Sequence, residues 1–126
     1  MRGHLANRLT SALYREAVYL ISEDIADVED VDAVISNGPG LRLALLGPHM
    51  NYHLGGGEGG YSYYLEHLGP SQEARWETLG QTSLTLELKE KLIQGIEKQN
   101  ISMTELKAKR DDSLIKILKA KKANGL

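Results

Sequence analysis

Apolar residues recur along most of the chain at spacings of three and four, the pattern that predicts α-helices. Leu5, Leu9 and Leu13 begin one such face, which predicts a first helix over about residues 5–23. Valines at the same spacing predict a second helix over residues 28–35, with acidic residues at its positive N-terminal end. An Asn-Gly-Pro-Gly segment ends it, because glycine adopts the left-handed cap and proline cannot continue a helix.

The middle of the chain is harder to assign from its pattern. Residues 41–46 fit either a strand or a buried helical turn, and the Gly-Pro pair that follows predicts the start of another helix. The glycine run 55–60 predicts a loop or a close approach of two backbone segments. Residues 61–68 and 71–79 are predicted as two short helices separated by a second Gly-Pro pair.

The last third has a simpler pattern. Leucine or isoleucine at every fourth position predicts an amphipathic helix over residues 83–99. Ser102 and Glu105 match the capping box, in which the serine oxygen and the glutamate side chain each satisfy a free backbone amide. They predict a final helix that runs to about Ala123. The predicted fold is therefore all-α.

Length and composition narrow the class of protein. A chain of 126 residues fits one domain with its own core, and its 41% apolar content argues against disorder. It contains no cysteine, no signal-peptide pattern and no apolar run long enough to span a bilayer. Residues 1–80 hold five basic and eleven acidic residues, whereas residues 81–126 hold ten basic and six acidic ones. We expect a cytoplasmic protein without disulfides.

Three motifs suggest chemistry but have plainer structural explanations. Gly55, Gly57 and Gly60 satisfy the dinucleotide pattern GxGxxG, yet no apolar strand precedes them, which favours an ordinary interhelical loop. His49 and His53 stand one helical turn apart, as a metal clamp requires, but no third ligand is evident and we expect no metal site. The lysines of the last helix could follow nucleic-acid phosphates, but acidic residues interrupt them, which favours a solvated face.

Tyrosines cluster on either side of the glycine run. Five of the seven aromatic residues lie within 25 positions there: Tyr52, Tyr61, Tyr63, Tyr64 and Trp76. Clustered tyrosine without phenylalanine indicates a partly wet surface. Such a surface either cages a cationic ligand or forms the edge of a core or a subunit contact.

Several motifs in a fixed order resemble a known family. The segment GHLANRL at residues 3–9, then Glu-Ala at 16–17 and Asp-Val-Asp at 30–32, is similar to the opening of the C-terminal domain of 3-hydroxyacyl-CoA dehydrogenases. GPGLR at residues 38–42, leading to Gly-Pro at 47–48, matches the next landmark. Within the family, the pattern is most similar to the L-carnitine and L-gulonate 3-dehydrogenase branch.

The resemblance covers residues 3–80, with His4 in place of the usual phenylalanine. It implies the helical C-terminal domain of the 6-phosphogluconate and 3-hydroxyacyl-CoA dehydrogenase type, with its core over residues 1–82 and a helical hairpin extension over residues 83–126. It also implies that NAD and the catalytic His–Glu pair belong to a Rossmann domain N-terminal to this segment. These residues alone are then expected to be inactive and to bind no cofactor.

The resemblance further implies the site residues. Asn7 would donate an amide hydrogen bond to the substrate hydroxyl or the catalytic histidine, the alternative being an ordinary helix cap. Arg42 would bind the carboxylate of a free hydroxy acid, or else pair with a nearby acidic residue. Tyr52, Glu58 and Tyr61 would contact the substrate, and its trimethylammonium group if the substrate is carnitine.

Together these expectations predict one function. We expect the substrate-binding and dimerisation domain of an NAD-dependent 3-hydroxyacyl-CoA or 3-hydroxy acid dehydrogenase of fatty acid metabolism. It would form a homodimer and bind neither nucleic acid nor membrane. The alternative is a non-enzymatic helical interaction module whose basic last helix binds a partner or nucleic acid, and salt-dependent DNA binding would favour it.

Overall fold

A computed structural model describes residues 2–126, and within that range every regular element is helical. The α-helices are, in chain order, α1 (Arg2–Ser22), α2 (Val28–Ser36), α3 (Pro39–Leu45), α4 (Pro48–Gly55), α5 (Gly60–Trp76), α6 (Leu86–Glu97) and α7 (Met103–Ala123). A single 3₁₀ turn, Gly57–Gly59, joins α4 to α5. The all-α prediction is confirmed. None of the described helices is both long enough and apolar enough to cross a membrane.

Side-chain caps mark the starts of α2 and α7. The Asp27 carboxylate accepts a hydrogen bond from the Asp30 amide at 2.8 Å, just ahead of α2. This bond is the main reason that the pKa of Asp27 lies below its ordinary value. Ser102 accepts from the Glu105 amide at 3.3 Å and begins α7 as predicted. The reciprocal half of the predicted capping box, from Glu105 back to the Ser102 amide, is not among the bonds of the described residues.

The segment at residues 41–46 is neither a strand nor buried. It forms most of α3, which starts at Pro39, inside the Asn-Gly-Pro-Gly segment predicted to end α2. Leu41, Leu43 and Leu45 are all exposed, so the apolar character of this stretch reflects a surface. Pro39 can begin α3 because proline has no N–H group, and the amides of a first helical turn have no intrahelical acceptor.

The two short helices predicted around Gly69-Pro70 are one helix. α5 runs through Pro70, and the separation predicted there is wrong. A proline inside a helix removes one backbone hydrogen bond without always ending the helix. Beside it, the Ser71 hydroxyl donates to the Leu68 carbonyl at 2.8 Å, which satisfies a backbone acceptor within the same turn.

Contacts divide the described chain into two units, which are described separately. The first comprises residues 2–33 and 74–99. Its core contains the buried side chains Val18 and Ile21 of α1 and Leu88 of α6. α2 packs directly on the backbone of α6, because a Cβ atom at Gly95 would lie 2.4 Å from a Val28 methyl group.

Two connections from α1 secure the rest of the first unit. The Gly80 amide donates to the Glu16 carboxylate at 3.0 Å, and the Tyr19 ring lies where a side chain at position 80 would project. Lys91 on α6 donates to the Ile21 carbonyl at 2.8 Å and forms an ion pair with Asp24. These contacts hold the segment that leads into α6 against the C-terminal half of α1.

The second unit comprises residues 34–73 and 100–126. It contains α3, α4, the 3₁₀ turn, most of α5 and all of α7. Tyr64 on α5 is its buried aromatic residue, at 8% exposure, and Tyr52 on α4 stacks on it with ring centroids 4.5 Å apart. These rings join α4 to α5 and position the residues around the glycine run.

Candidate functional site

Arg42 and Tyr52 line the same cavity in the second unit. The cavity has a volume of about 200 Å³, and its other lining residues are Pro39, Leu43, Pro48 and Asn51. Arg42 lies in the last turn of α3 and Tyr52 on α4. The two prolines and the leucine make the remaining wall largely apolar, so Arg42 supplies the only formal charge of this cavity.

The Arg42 side chain is available to a ligand. Among residues 2–126, ion pairs join Lys91 to Asp24, Lys98 to Asp27, Arg110 to Asp111 and Lys116 to Asp112, among others. None of them uses Arg42, so the alternative of a structural salt bridge is not realised in the described chain. A guanidinium held beside an apolar wall is suited to bind a planar carboxylate through two parallel hydrogen bonds.

A chain of rings continues from the cavity along α4 and α5. Tyr52 stacks on Tyr64, and Tyr64 lies 6.1 Å from the Tyr61 ring at a tilt of 57°. The Tyr61 hydroxyl is hydrogen-bonded to His49 Nδ1 at 2.8 Å. Tyr52 is 40% exposed, so part of its surface remains open to a ligand. The structure therefore brings two of the predicted substrate contacts, Tyr52 and Tyr61, into one aromatic cluster.

The glycine run lets α4 and α5 approach closely, as predicted. A Cβ atom at Gly56 would lie 1.8 Å from the Gly60 carbonyl oxygen. Gly60 has φ +62°, which is strained for other residues, and a Cβ there would meet the His53 ring at 2.7 Å. Glu58, within the intervening 3₁₀ turn, is exposed and has no hydrogen-bond or ion-pair partner in the described chain. The run is thus a close-packed connection between two helices, without the preceding strand that a dinucleotide loop needs.

The two histidines of α4 are held by hydrogen bonds to one residue. The Tyr61 amide donates to His53 Nδ1 at 3.0 Å, at the start of α5, and the Tyr61 hydroxyl engages His49. The Tyr61 amide occupies the lone pair of His53 Nδ1, so that nitrogen is not open to a metal in this arrangement. Which atom donates between His49 and the Tyr61 hydroxyl depends on the histidine tautomer.

Asn7 lies in the second turn of α1, in the first unit, and caps no helix. α1 begins at Arg2, so the predicted start at about residue 5 falls one turn late, and the alternative explanation of Asn7 as a cap does not apply. Its carbonyl accepts from the Thr10 hydroxyl at 3.2 Å, whereas its amide group has no partner among the described residues. It lines a surface depression together with His4, Arg8 and Arg15. A free carboxamide among cationic side chains is able to donate to an oxygen ligand.

The basic residues of α7 do not form a continuous strip. Lys116 pairs with Asp112 at 2.8 Å, and Arg110 is bonded to the neighbouring Asp111. Most α7 side chains are exposed, and Ile117 and Lys121 are only half-buried. This distribution is typical of a solvated helix; binding of nucleic acid to α7 stays an untested alternative.

Sequence comparison identifies the family. A family model described as "3-hydroxyacyl-CoA dehydrogenase, C-terminal domain" matches residues 3–99. The chain belongs to this family. The match ends before Met103, so α7 lies outside the residues that the family model matches.

The domain is also similar to curated L-carnitine dehydrogenases. It is 43% identical to the L-carnitine dehydrogenase of Bacillus cereus over 120 residues, which cover 94% of this chain and 37% of that protein. The corresponding enzyme of Oceanobacillus iheyensis is 43% identical over 94% of this chain and 39% of its own length. The L-carnitine dehydrogenase of Streptomyces coelicolor is 39% identical over 94% of this chain and 38% of its own length. The domain thus spans less than two fifths of each relative, and the alignments include most of α7.

Sequence reasoning missed Asn51, which lines the Arg42 cavity. Its amide nitrogen donates to three carbonyl oxygens around the end of α3, at distances between 2.7 and 3.3 Å. The available signal was an asparagine inside a short helix, where this residue type is unfavourable unless its side chain bonds to backbone. The hydrophobic pattern carries no information about such a bond.

Proposed function

We propose that this domain binds the substrate of an NAD-dependent 3-hydroxy acid dehydrogenase and contributes to its dimer. The cavity lined by Arg42 and Tyr52 is the observation that carries the proposal, because it offers an unpaired guanidinium beside an apolar and aromatic wall. A free hydroxy acid presents a carboxylate, which the Arg42 guanidinium can bind. A cytoplasmic enzyme of fatty acid metabolism is the setting that this proposal implies.

The domain's chemical task is to hold the substrate while another domain oxidises it. Oxidation of a secondary alcohol requires a base for the hydroxyl proton, a hydride acceptor and a donor that stabilises the developing alkoxide. We assign the carboxylate to Arg42. Asn7 belongs to the first unit, and its role as the amide donor stays a prediction from the family resemblance. The base and NAD belong to a nucleotide-binding domain in this proposal, so the domain alone is expected to be inactive.

Carnitine is the substrate favoured by the similarity to L-carnitine dehydrogenases. Its quaternary ammonium group is attracted to the negative face of aromatic rings and to carboxylates. We assign this contact to Tyr52, Tyr61 and Glu58, since Tyr52 is partly open and Glu58 is unpaired. A Tyr52→Leu variant is expected to lose affinity for L-carnitine and to keep affinity for 3-hydroxybutyrate, which lacks the ammonium group.

The carboxylate assignment is tested by ligand titration of the ¹⁵N-labelled domain, followed by NMR. Charge-assisted hydrogen bonds contribute about 1.5–3 kcal/mol. Arg42→Ala is therefore expected to weaken binding of 3-hydroxybutyrate and of L-carnitine by roughly tenfold to a hundredfold. Arg42→Lys keeps the charge but loses the two parallel hydrogen bonds, so its affinity is expected to lie between those of the wild type and Arg42→Ala.

Arg110→Ala is the matched control, because it removes an exposed arginine from α7 of the same unit. It is expected to leave both affinities unchanged. Equal affinities for wild type and Arg42→Ala, in a domain whose spectrum remains folded, would contradict the proposal.

The dimer is supported by an exposed leucine ridge on α1. Leu5, Leu9 and Leu13 are spaced by four, so they share one face, and each is about half exposed or more. A contiguous apolar face of this kind is typical of protein contacts. Leu9→Glu is expected to shift sedimentation from dimer to monomer, whereas Leu86→Glu, at an exposed leucine of α6, is expected to have no effect. A monomeric wild type at all concentrations would refute this part.

A further inference from the structure

Asn51 connects the two helices that carry the cavity walls. Its Nδ2 atom donates to the carbonyl oxygens of Leu46 at 2.7 Å, Gly47 at 3.1 Å and Arg42 at 3.3 Å. The first two bonds use both hydrogens of the amide, and the third is a longer, shared contact. One side chain of α4 therefore contacts three backbone acceptors: one in the last turn of α3, one at its C-cap Leu46 and one at Gly47, the N-cap of α4.

α3 depends on such a contact because it is very short. It has seven residues, Pro39–Leu45, and helices of that length are unstable without packing or capping. Its side chains Leu41, Leu43 and Leu45 are exposed, so apolar packing fixes it weakly. The Arg42 carbonyl in the last turn accepts from the Leu46 amide at 3.0 Å, and Asn51 adds a second, longer donor from outside the helix.

The position of Asn51 in the cavity gives this cap a consequence for the site. Asn51 precedes Tyr52 in the chain and lines the same cavity as Arg42. Its bond to the Arg42 carbonyl attaches the backbone of the arginine to the helix that carries the tyrosine. Asn51 therefore adds a side-chain contact between the two walls, beside the short connection Leu46-Gly47.

We propose that Asn51 is a positioning residue, which holds Arg42 at the distance from Tyr52 that a substrate carboxylate requires. The proposal rests on the carboxylate-binding role of Arg42 given above. Asn51 touches no reacting atom; it acts through the arginine. Loss of its donors is expected to let the end of α3 move, so that the guanidinium loses its fixed geometry for two parallel hydrogen bonds.

The experiment is a double-mutant cycle between positions 51 and 42, with 3-hydroxybutyrate as the probe and NMR titration as the measurement. Asn51→Ala and Asn51→Leu are each expected to weaken binding about fivefold, the effect of one intramolecular hydrogen bond. Leucine has nearly the shape of asparagine without its N–H donors and adds no charge, so it separates hydrogen bonding from packing. In the Arg42→Ala background, either change is expected to add nothing further.

Asn124→Ala is the matched control, because Asn124 makes the same kind of bond at the end of α7, to the Ala120 carbonyl at 2.8 Å. It is expected to leave binding unchanged. If Asn51 had only a structural role, its loss would lower stability and would weaken binding equally with and without Arg42. Such additive effects would overturn the proposal. Unchanged affinity in both Asn51 variants would also overturn it. If Arg42→Ala itself has no effect, the proposed function fails together with this inference, whereas a failure confined to position 51 leaves the function standing.

Discussion

Replacing Gly95 with alanine tests how closely α2 and α6 pack in the first unit. In an isolated helix this change is stabilising, by about 1 kcal/mol, because glycine has the greater backbone freedom to lose. Here the new Cβ atom would lie 2.4 Å from Val28 Cγ2 and 2.7 Å from Val28 Cβ. Rotation of the valine cannot move its Cβ, so the two helix backbones have to separate.

The two effects can be weighed against each other. Inserting a methyl group into a packed contact costs about 1–3 kcal/mol, and a clash with an atom fixed to backbone belongs in the upper part of that range. Subtracting the helix-propensity gain leaves a net loss of about 1–2 kcal/mol in the free energy of unfolding. The expected sign is therefore opposite to that of a solvent-exposed helical glycine.

Urea unfolding followed by circular dichroism at 222 nm measures the difference. Gly3→Ala is the control, since Gly3 lies in α1 of the same unit with nothing within 4 Å of its added Cβ, and it is expected to be neutral or slightly stabilising. Val28→Ala removes the nearest clashing atom and is expected to recover part of the loss when combined with Gly95→Ala. A Gly95→Ala domain that is more stable than wild type would refute the close packing of α2 on α6.

Two further predictions concern the same unit. Leu88→Ala removes one of its few buried side chains and is expected to lower the free energy of unfolding, measured in urea, by about 3 kcal/mol. Leu86→Ala, at a 73% exposed position, is expected to stay within about 0.5 kcal/mol of wild type. Similar losses for both variants would contradict the described core. The hydrogen bond from the Asp30 amide, helped by the charge of Lys98, holds the pKa of Asp27 below its ordinary value. The resulting stability is present above the ordinary carboxyl pKa, near pH 4, and is lost as the pH falls through the lower value of the folded state. The measurement is Tm from thermal unfolding between pH 2.5 and 6. Asp27→Asn keeps an acceptor for the cap but does not titrate, so its Tm is expected to lack this part of the decrease at low pH. A dependence of Tm on pH identical to that of the wild type would contradict the prediction.

The hydrophobic pattern predicted the fold well where local signals act alone. α1, α4 and α7 follow from apolar spacing, proline at a first turn and a serine cap, and the structure has all three. The pattern failed at Pro70, because a helix that continues through proline depends on neighbouring bonds that no residue type announces. It also failed over residues 41–46, because an apolar run has the same appearance whether it is buried or lies on a surface.

The candidate site was predictable only in part for a similar reason. The resemblance implied that Arg42 and Tyr52 both contact the substrate, although ten positions separate them in the sequence. Their meeting in one cavity follows from the turn between α3 and α4, and from Asn51, which the pattern does not reveal. Residue type indicates which side chains can bind a carboxylate, whereas the backbone geometry of a short connection determines which of them act together.

The small core of the domain leads to a last prediction. Among residues 2–126 only four apolar side chains are buried, Val18, Ile21, Tyr64 and Leu88, while the α1 leucine ridge and most of α7 are exposed. Part of the stability of such a domain is expected to come from dimerisation, because only folded chains associate. For a dimer, a hundredfold rise in protein concentration adds about 2.7 kcal/mol per dimer, or about 1.4 kcal/mol per chain, and so raises Tm by roughly 4 °C. Circular dichroism melts at 2 and 200 micromolar (about the practical limits of the method) measure this shift. Leu9→Glu is expected to abolish it, and a wild-type Tm that does not depend on concentration would show that the exposed ridge is not a contact between copies of this chain.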